Sequence, residues 1–318
     1  MKKKIALIGM STLLTLGLAA CNTEKTAQQS DSKAEETSTK EQTIKYLGKE
    51  YTLPANVDKI AAASLESMED SAVLGIKPAA TITVGGKIPE YLAKDLDGAT
   101  GIGEKMQPDE ETLLNVDPDV ILWTSKSPEN VTEKLNKVAT TIPYSHVSAN
   151  WKDNLLLLGG LAGKTDKAKK VISDYEKEAA QLKEDISGSV KDKKVLLVRV
   201  RGGNLYVYPQ EVYFNSSLYN DFGIKVPEEI KPVKAQELVS LEKLADINPD
   251  YLFVQFADSE NAKTPKALED LQKNPIWKSI KAVQDDKVFV NSVDPLLQGG
   301  TAYSKQEFLK AAKKDLTK

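Results

Sequence analysis

Of the 43 basic residues in the 318-residue chain, only Arg199 and Arg201 are arginine. They stand two apart in VLLVRVRGG, a run that reads as a strand, so both guanidiniums fall on one face. Gly202-Gly203 follows at once, which puts the pair at a carboxyl end, where open α/β sheets take ligands. A planar fork with five donors suits carboxylates and other oxyanions. The pair is therefore expected to bind an anion; the alternative is two salt bridges to Asp or Glu of the same half of the chain.

Other loops that follow apolar runs hold further candidates: Lys87 after Gly85-Gly86, Lys105 after Gly101-Ile102-Gly103, and Lys126 after Thr124-Ser125. Tyr206, Tyr208 and Tyr213 follow the arginine strand and Trp151 follows TIPYSHV, so aromatic walls could flank the cations. Core packing explains them equally well. His146 is the only histidine. One imidazole is too few for a dedicated zinc or manganese site. Paired with Met68 or Met106 it could ligate haem iron, although a satisfied histidine or a hydrogen-bond donor to ligand is the simpler reading.

Catalytic signatures are absent from the sequence: there is no Gly-x-Ser-x-Gly and no His-Glu-x-x-His, and the single cysteine is Cys21. Gly159-Gly-Leu-Ala-Gly163-Lys-Thr165 has three residues between its outer glycines where a phosphate loop has four, and it follows a helical run. It reads as a turn between helices. No enzyme activity and no cofactor are expected.

These candidates need a scaffold. Apolar runs of strand length recur at 59–63, 79–84, 120–123, 141–147, 195–200, 251–256 and 287–291, alternating with helical patterns. That alternation predicts mostly parallel sheets covered on both faces. ETLLNVDPDVILW (111–123) aligns without gaps onto EKLADINPDYLFV (242–254) at an offset of 131 residues, an internal repeat of helix, Pro-Asp turn and strand. The offset pairs Lys105 with Gln236 and Ser125 with Phe256, so Gln236 and Phe256 join the candidates. Between the copies, 165–186 places apolar residues at steps of three and four, an amphipathic helix of about 33 Å. The predicted fold is α/β: two Rossmann-like lobes, 43–163 and 189–318, joined by a linking region 164–188 whose one long α-helix, 165–186, ends before Ser187-Gly188.

The first twenty residues pair Lys2, Lys3 and Lys4 with an apolar run, the pattern of a signal peptide. Leu18-Ala19-Ala20-Cys21 matches a lipobox, so Cys21 is expected to be acylated and to anchor the chain on a membrane. Residues 21–42 lack large apolar side chains and read as a tether. The formal charge of −3 falls to about −6 without the three leader lysines, which argues against nucleic-acid partners.

Lipobox, repeated α/β lobes, long helix and the two helix-Pro-Asp-strand units together resemble the helical-backbone class of substrate-binding lipoproteins. These serve ABC importers of iron siderophores, haem and cobalamin. The resemblance covers about residues 43 to 315. It implies a monomer on the extracytoplasmic face of the cell membrane, with its ligand between lobes that close little. Glu111 and Glu242, seven residues before Pro118 and Pro249, match the positions by which such proteins dock on a permease dimer with its ATPase. Taken with the arginine pair, the resemblance implies a ferric siderophore, with carboxylate or citrate-hydroxamate types favoured. A haem or cobalamin receptor, or a surface protein without small cargo, are the alternatives.

Overall fold

The computed structural model describes residues 41–317. The expected leader, Cys21 and most of the tether lie outside the described residues. The described chain opens with an antiparallel hairpin, β1 (Glu41–Tyr46) and β2 (Lys49–Pro54). Glu41 and Gln42, expected in the tether, already pair there with Pro54 and Leu53.

The first sheet contains β3 (Ile60–Ala62), β4 (Ala80–Thr83), β5 (Thr100–Glu104), β6 (Gln107–Pro108), β7 (Val120–Thr124) and β8 (Thr141–Tyr144), in the order β6-β5-β4-β3-β7-β8. All pairings are parallel except the β5–β6 hairpin. Residues 120–124 are buried throughout, as a parallel strand covered on both faces requires. The second sheet contains β9 (Val195–Arg201), β10 (Asn204–Val207), β11 (Glu237–Val239), β12 (Tyr251–Phe256) and β13 (Val288–Val290), in the order β11-β10-β9-β12-β13. Here β9, β12 and β13 are parallel, while β10 and β11 turn antiparallel.

The repeat predicted at 131 residues is a structural one. The helices Glu110–Val116 and Leu241–Ile247 both end on a left-handed residue, Asp117 (φ 53°) and Asn248 (φ 49°). Pro-Asp follows in each. Asp119 Oδ2 accepts the backbone N–H groups of Asp58 (2.8 Å) and Lys59 (2.7 Å) just before β3. Asp250 Oδ2 accepts that of Lys194 (2.9 Å) just before β9. Each aspartate thus staples the start of its own strand to the strand beside it. This explains why Pro-Asp recurs: the proline ends the helix and the carboxylate satisfies donors at the sheet edge.

The linking helix runs from Thr165 to Val190, about 39 Å at 1.5 Å per residue. It continues through Ser187-Gly188 instead of stopping before them. Ser187 and Ser189 return their hydroxyls to the carbonyls of Glu184 and Ile186, and Ile186 and Val190 are buried. Packing of the final turn therefore overrides the weak helix propensity of Ser-Gly. Residues 162–164 form the expected turn between the Trp151–Leu161 helix and the linking helix. Gly159 is required there, since a Cβ would sit 2.9 Å from that of Ala168.

A second connection was not expected. The C-terminal helix, Ala302–Leu316, puts Phe308 against Phe214, Phe222 and Phe253 of the second lobe. Its N-terminus meets two acids of the Leu65–Leu74 helix in the first lobe. Glu69 accepts from Thr301 Oγ1, Ser304 Oγ, Tyr91 Oη (2.8 Å) and Gln298 N–H (3.0 Å). Asp70 accepts from Ala302 N–H (3.0 Å) and Tyr144 Oη (2.8 Å). Both acids are fully buried, and among the described residues no cation is bonded to them. Burial pushes Glu69 up to about 7 and Asp70 up to about 8, against the pull of these donors.

Candidate functional site

The carboxyl ends of β3, β5, β7, β8 and β9 converge on a cleft of about 480 Å³ between the sheets. In the first lobe the Leu65–Leu74 helix begins there, with Ser64 accepting from Ser67 N–H (3.1 Å) at its cap. Glu66 follows in its first turn, buried and ion-paired with Lys126 at 3.0 Å. Lys105 stands on the β5–β6 turn. That turn is braced by Glu104, whose carboxylate accepts from Gly86 N–H (2.7 Å), Thr83 Oγ1 (2.9 Å) and Gly85 N–H (3.1 Å). Burial lowers the Lys105 ammonium from its ordinary range; Glu260 opposes this, while Arg199, Lys126 and Arg201 add to it.

The second lobe supplies the arginines. Arg199 is 7% exposed and already engaged: Nε and Nη2 each donate to Glu260 at 2.9 Å, and Nη2 reaches the Pro295 carbonyl at 3.2 Å. Its guanidinium lies 5.0 Å from the Tyr213 ring centroid. Arg201 is less buried and donates from Nη1 to Gln236 Oε1 (2.8 Å), with Nε 3.4 Å from Glu260. Tyr208 Oη donates to the same Gln236 oxygen at 3.0 Å.

Tyr213 forms part of the floor in a left-handed backbone conformation, φ 57°. Gly299 is pressed against it so closely that a Cβ would lie 2.6 Å from the Tyr213 carbonyl carbon. Ser148 of the first lobe donates to the Tyr213 carbonyl at 3.1 Å. The Tyr213 hydroxyl is buried and has no partner among the described residues. Backbone strain and an orphaned buried hydroxyl are features that concentrate at functional sites.

Of the residues singled out from the sequence, Arg199, Arg201, Lys105, Lys126, His146, Tyr213 and Gln236 line this cleft, as do Tyr208 and Met106. Four lie elsewhere. Trp151 is buried edge-on to Tyr175 of the linking helix, 5.2 Å between centroids. Phe256 turns into the core because Asn291 clamps its backbone on both sides, at 2.8 and 2.9 Å. Tyr206, on β10 in register between Arg199 and Leu238, is not part of the cleft lining. Lys87 closes the exposed Gly85-Gly86 turn by bridging Val84, outside the cleft. Strand Thr141–Tyr144 is shorter than expected, so His146 sits in the loop after it. Its Nδ1 is 2.7 Å from Ser125 Oγ, which also accepts from His146 N–H at 3.0 Å. Burial, reinforced by Lys126 and opposed by Glu66, lowers the His146 pKa. Met68 is fully buried in the first lobe's core and cannot join His146 on a haem.

Glu66, Lys234 and Glu260 were missed. Glu66 and Glu260 each lie just beyond the carboxyl end of a strand, the signal that singled out Arg199 and Arg201; Lys234 sits in a loop without pattern. Five cations, Lys105, Lys126, Arg199, Arg201 and Lys234, line the cleft against two carboxylates, Glu66 and Glu260, a surplus of three positive charges. Leu65, Ile82, Met106 and Val212 supply apolar wall. Such a site repels a bare metal cation and favours a bulky anion with an apolar surface.

Among the described residues no helix is long and apolar enough to cross a membrane. The iron-uptake system-binding protein of Bacillus subtilis is 51% identical over 316 residues, 99% of each chain. The probable siderophore-binding lipoprotein YfiY of the same organism is 30% identical over 295 residues, 89% of each chain. A crystal structure of the triscatecholate siderophore binding protein FeuA from Bacillus subtilis, complexed with ferri-bacillibactin, matches with a TM-score of 0.84. That match has 53% identity and covers 87% of this chain and 98% of that one. Residues 60–292 match the family model described as periplasmic binding protein, and the chain belongs to that family of substrate-binding proteins, which are not enzymes.

Proposed function

We propose that the cleft receives the metal centre of a ferric triscatecholate siderophore and that the protein delivers it to an ABC importer. The observation that supports this most is the surplus of three positive charges beside apolar wall. Three catecholates around Fe(III) carry three negative charges, and their rings can lie against guanidinium and ammonium groups. A ferric trihydroxamate is neutral and gains little from such a surplus. The relative FeuA, solved with ferri-bacillibactin, supports the same chemistry.

The cargo differs from the carboxylate or citrate-hydroxamate chelate expected from the arginine pair. That expectation rested on free guanidinium forks. Glu260 and the Pro295 carbonyl occupy the fork of Arg199, and Gln236 takes one donor of Arg201. What remains is charge and surface, which suits a catecholate complex better than bidentate reading of carboxylates.

Delivery places the protein on the extracytoplasmic face of the membrane, held by acylated Cys21, with Glu111 and Glu242 contacting the two halves of a permease. Both glutamates are exposed in the first turns of helices capped by Asp109 and Ser240, at repeat-related positions. A pair of equivalent acids fits a two-fold partner.

The test is titration calorimetry with gallium triscatecholate, a neutral ferric trihydroxamate, ferric citrate and haemin. Submicromolar affinity for the triscatecholate, with the neutral chelate at least about tenfold weaker, is expected. Tighter binding of the hydroxamate, citrate or haemin overturns the reading.

A further inference from the structure

Two arginines on one face of a strand, two residues apart, hold like charges about 7 Å from each other at their Cα atoms. Glu260 resolves that conflict. It arrives on the short turn Asp258–Glu260 after β12, with its side chain 12% exposed. One carboxylate oxygen accepts from Arg199 Nη2 and the other from Arg199 Nε, both at 2.9 Å. The second oxygen also lies 3.4 Å from Arg201 Nε. Arg199 is thereby spent as a buried strut, while the outer end of Arg201 stays turned to the cleft.

The carboxylate is separable from the shape of the loop. The β9–β10 turn is closed by the Glu260 carbonyl, which accepts from Gly202 N–H at 3.0 Å. Asn261 completes the closure, accepting from Gly203 N–H (3.1 Å) and donating to the Val200 carbonyl (2.9 Å). None of these bonds uses the Glu260 side chain. Its charge instead acts on the cleft, where it cancels one of five cations.

We propose that Glu260 is a positioning residue that sets the charge offered to cargo and leaves Arg201, not Arg199, to meet it. This rests on the catecholate reading above. A triscatecholate with three negative charges then matches the surplus, whereas an isosteric complex with two is bound less well.

Gallium(III) and titanium(IV) triscatecholates test this, since they share a shape and carry three and two negative charges respectively. Their affinity ratio is insensitive to a purely structural loss, which weakens both alike. Glu260→Gln raises the surplus to four and should raise the gallium-to-titanium ratio about tenfold, the effect of one unit charge across about 10 Å at an effective dielectric near 20. Arg199→Gln lowers the surplus to two and should lower the ratio. The double variant Arg199→Gln/Glu260→Gln restores three, and the wild-type ratio should return. An unchanged ratio in folded Glu260→Gln protein overturns the proposal. Should that variant not fold, Arg199→Gln and the double variant decide by the same signs. Failure of the wild type to bind gallium triscatecholate instead sinks the catecholate reading itself.

Discussion

The two lobes are built on the same helix, Pro-Asp and strand, yet they meet the cleft with different devices. In the first, β3 runs into Ser64 and the start of a helix, and the cations are lysines on flexible stems, Lys105 and Lys126. In the second, the equivalent strand β9 runs into the Gly202-Gly203 turn and a hairpin, and the cations on the strand itself are arginines held by Glu260 and Gln236. The ends of the sheets away from the cleft are alike because Asp119 and Asp250 do one job there. The devices facing the cleft differ at the carboxyl ends, where sites are grafted onto folds. One lobe offers ammonium point charges on long aliphatic stems and the other a guanidinium pair braced by Glu260 and Gln236, so the two walls recognise charge with different geometry.

The sharpest way to break that contrast is to remove a pin from each lobe. Arg199→Ala leaves Glu260 buried without its main partner and should cost about 3 to 5 kcal/mol in urea unfolding. Lys126→Ala, whose side chain is about half exposed, should cost about 1 kcal/mol or less. Equal losses would mean that the first lobe is pinned as firmly as the second.

A smaller effect is expected in binding. Arg201→Ala and Lys105→Ala should each weaken gallium triscatecholate by about 1.5 to 3 kcal/mol, with the arginine at the upper end because its geometry is already fixed. A larger loss at Lys105, measured by calorimetry, would reverse that ordering of the two walls.

Between the lobes, Glu69 and Asp70 tie the first to the C-terminal helix. Their folded pKa values, about 7 and about 8, lie above the ordinary carboxylate range. The folded state therefore holds protons that the unfolded state has released. This contribution is full below about pH 4 and is lost as pH rises through 7 to 8. Unfolding free energy should fall by several kcal/mol, on the order of 5, between pH 5 and pH 9, and Glu69→Gln with Asp70→Asn should flatten the slope. A steeper slope in the double variant would assign the titration to other groups.

The mildest change is expected from the two acids proposed to meet the permease. Glu111→Ala and Glu242→Ala should shift stability by less than about 0.5 kcal/mol and leave cargo affinity unchanged, while reducing transport by the importer. Undiminished uptake in the double variant would remove both from the permease surface.

Much of the frame was legible because local physics wrote it. Strands 120–124 and 251–256 are continuous apolar runs between breakers, and both proved buried throughout. The linking helix was readable from its 3.6-residue period, missing only its last turn. β5 and β6 were not, since Thr100–Glu104 contains two glycines and Gln107–Pro108 is two residues long; pairing with neighbours makes them strands. At the site, Arg199, Arg201 and Lys126, singled out by position at a strand's carboxyl end, lie in the cleft lining. Trp151 and Phe256, singled out as an aromatic wall and by the repeat offset, lie in the core, because an aromatic near a cleft and an aromatic in a core look the same in one dimension.

The sequence by itself determined the repeat, the long helix and the presence of rare arginines at a ligand-binding edge, since each depends on residues close together along the chain. Only the tertiary structure decided the charge of the cleft. Arg199 and Glu260 are 61 residues apart, and Glu69 is more than 200 residues from the Thr301 and Ser304 hydroxyls it accepts. Whether a charged group is a strut or a ligand contact depends on what folding brings beside it. The same two arginines that suggested a carboxylate cargo became, once Glu260 was beside them, one buried strut and one partly free cation.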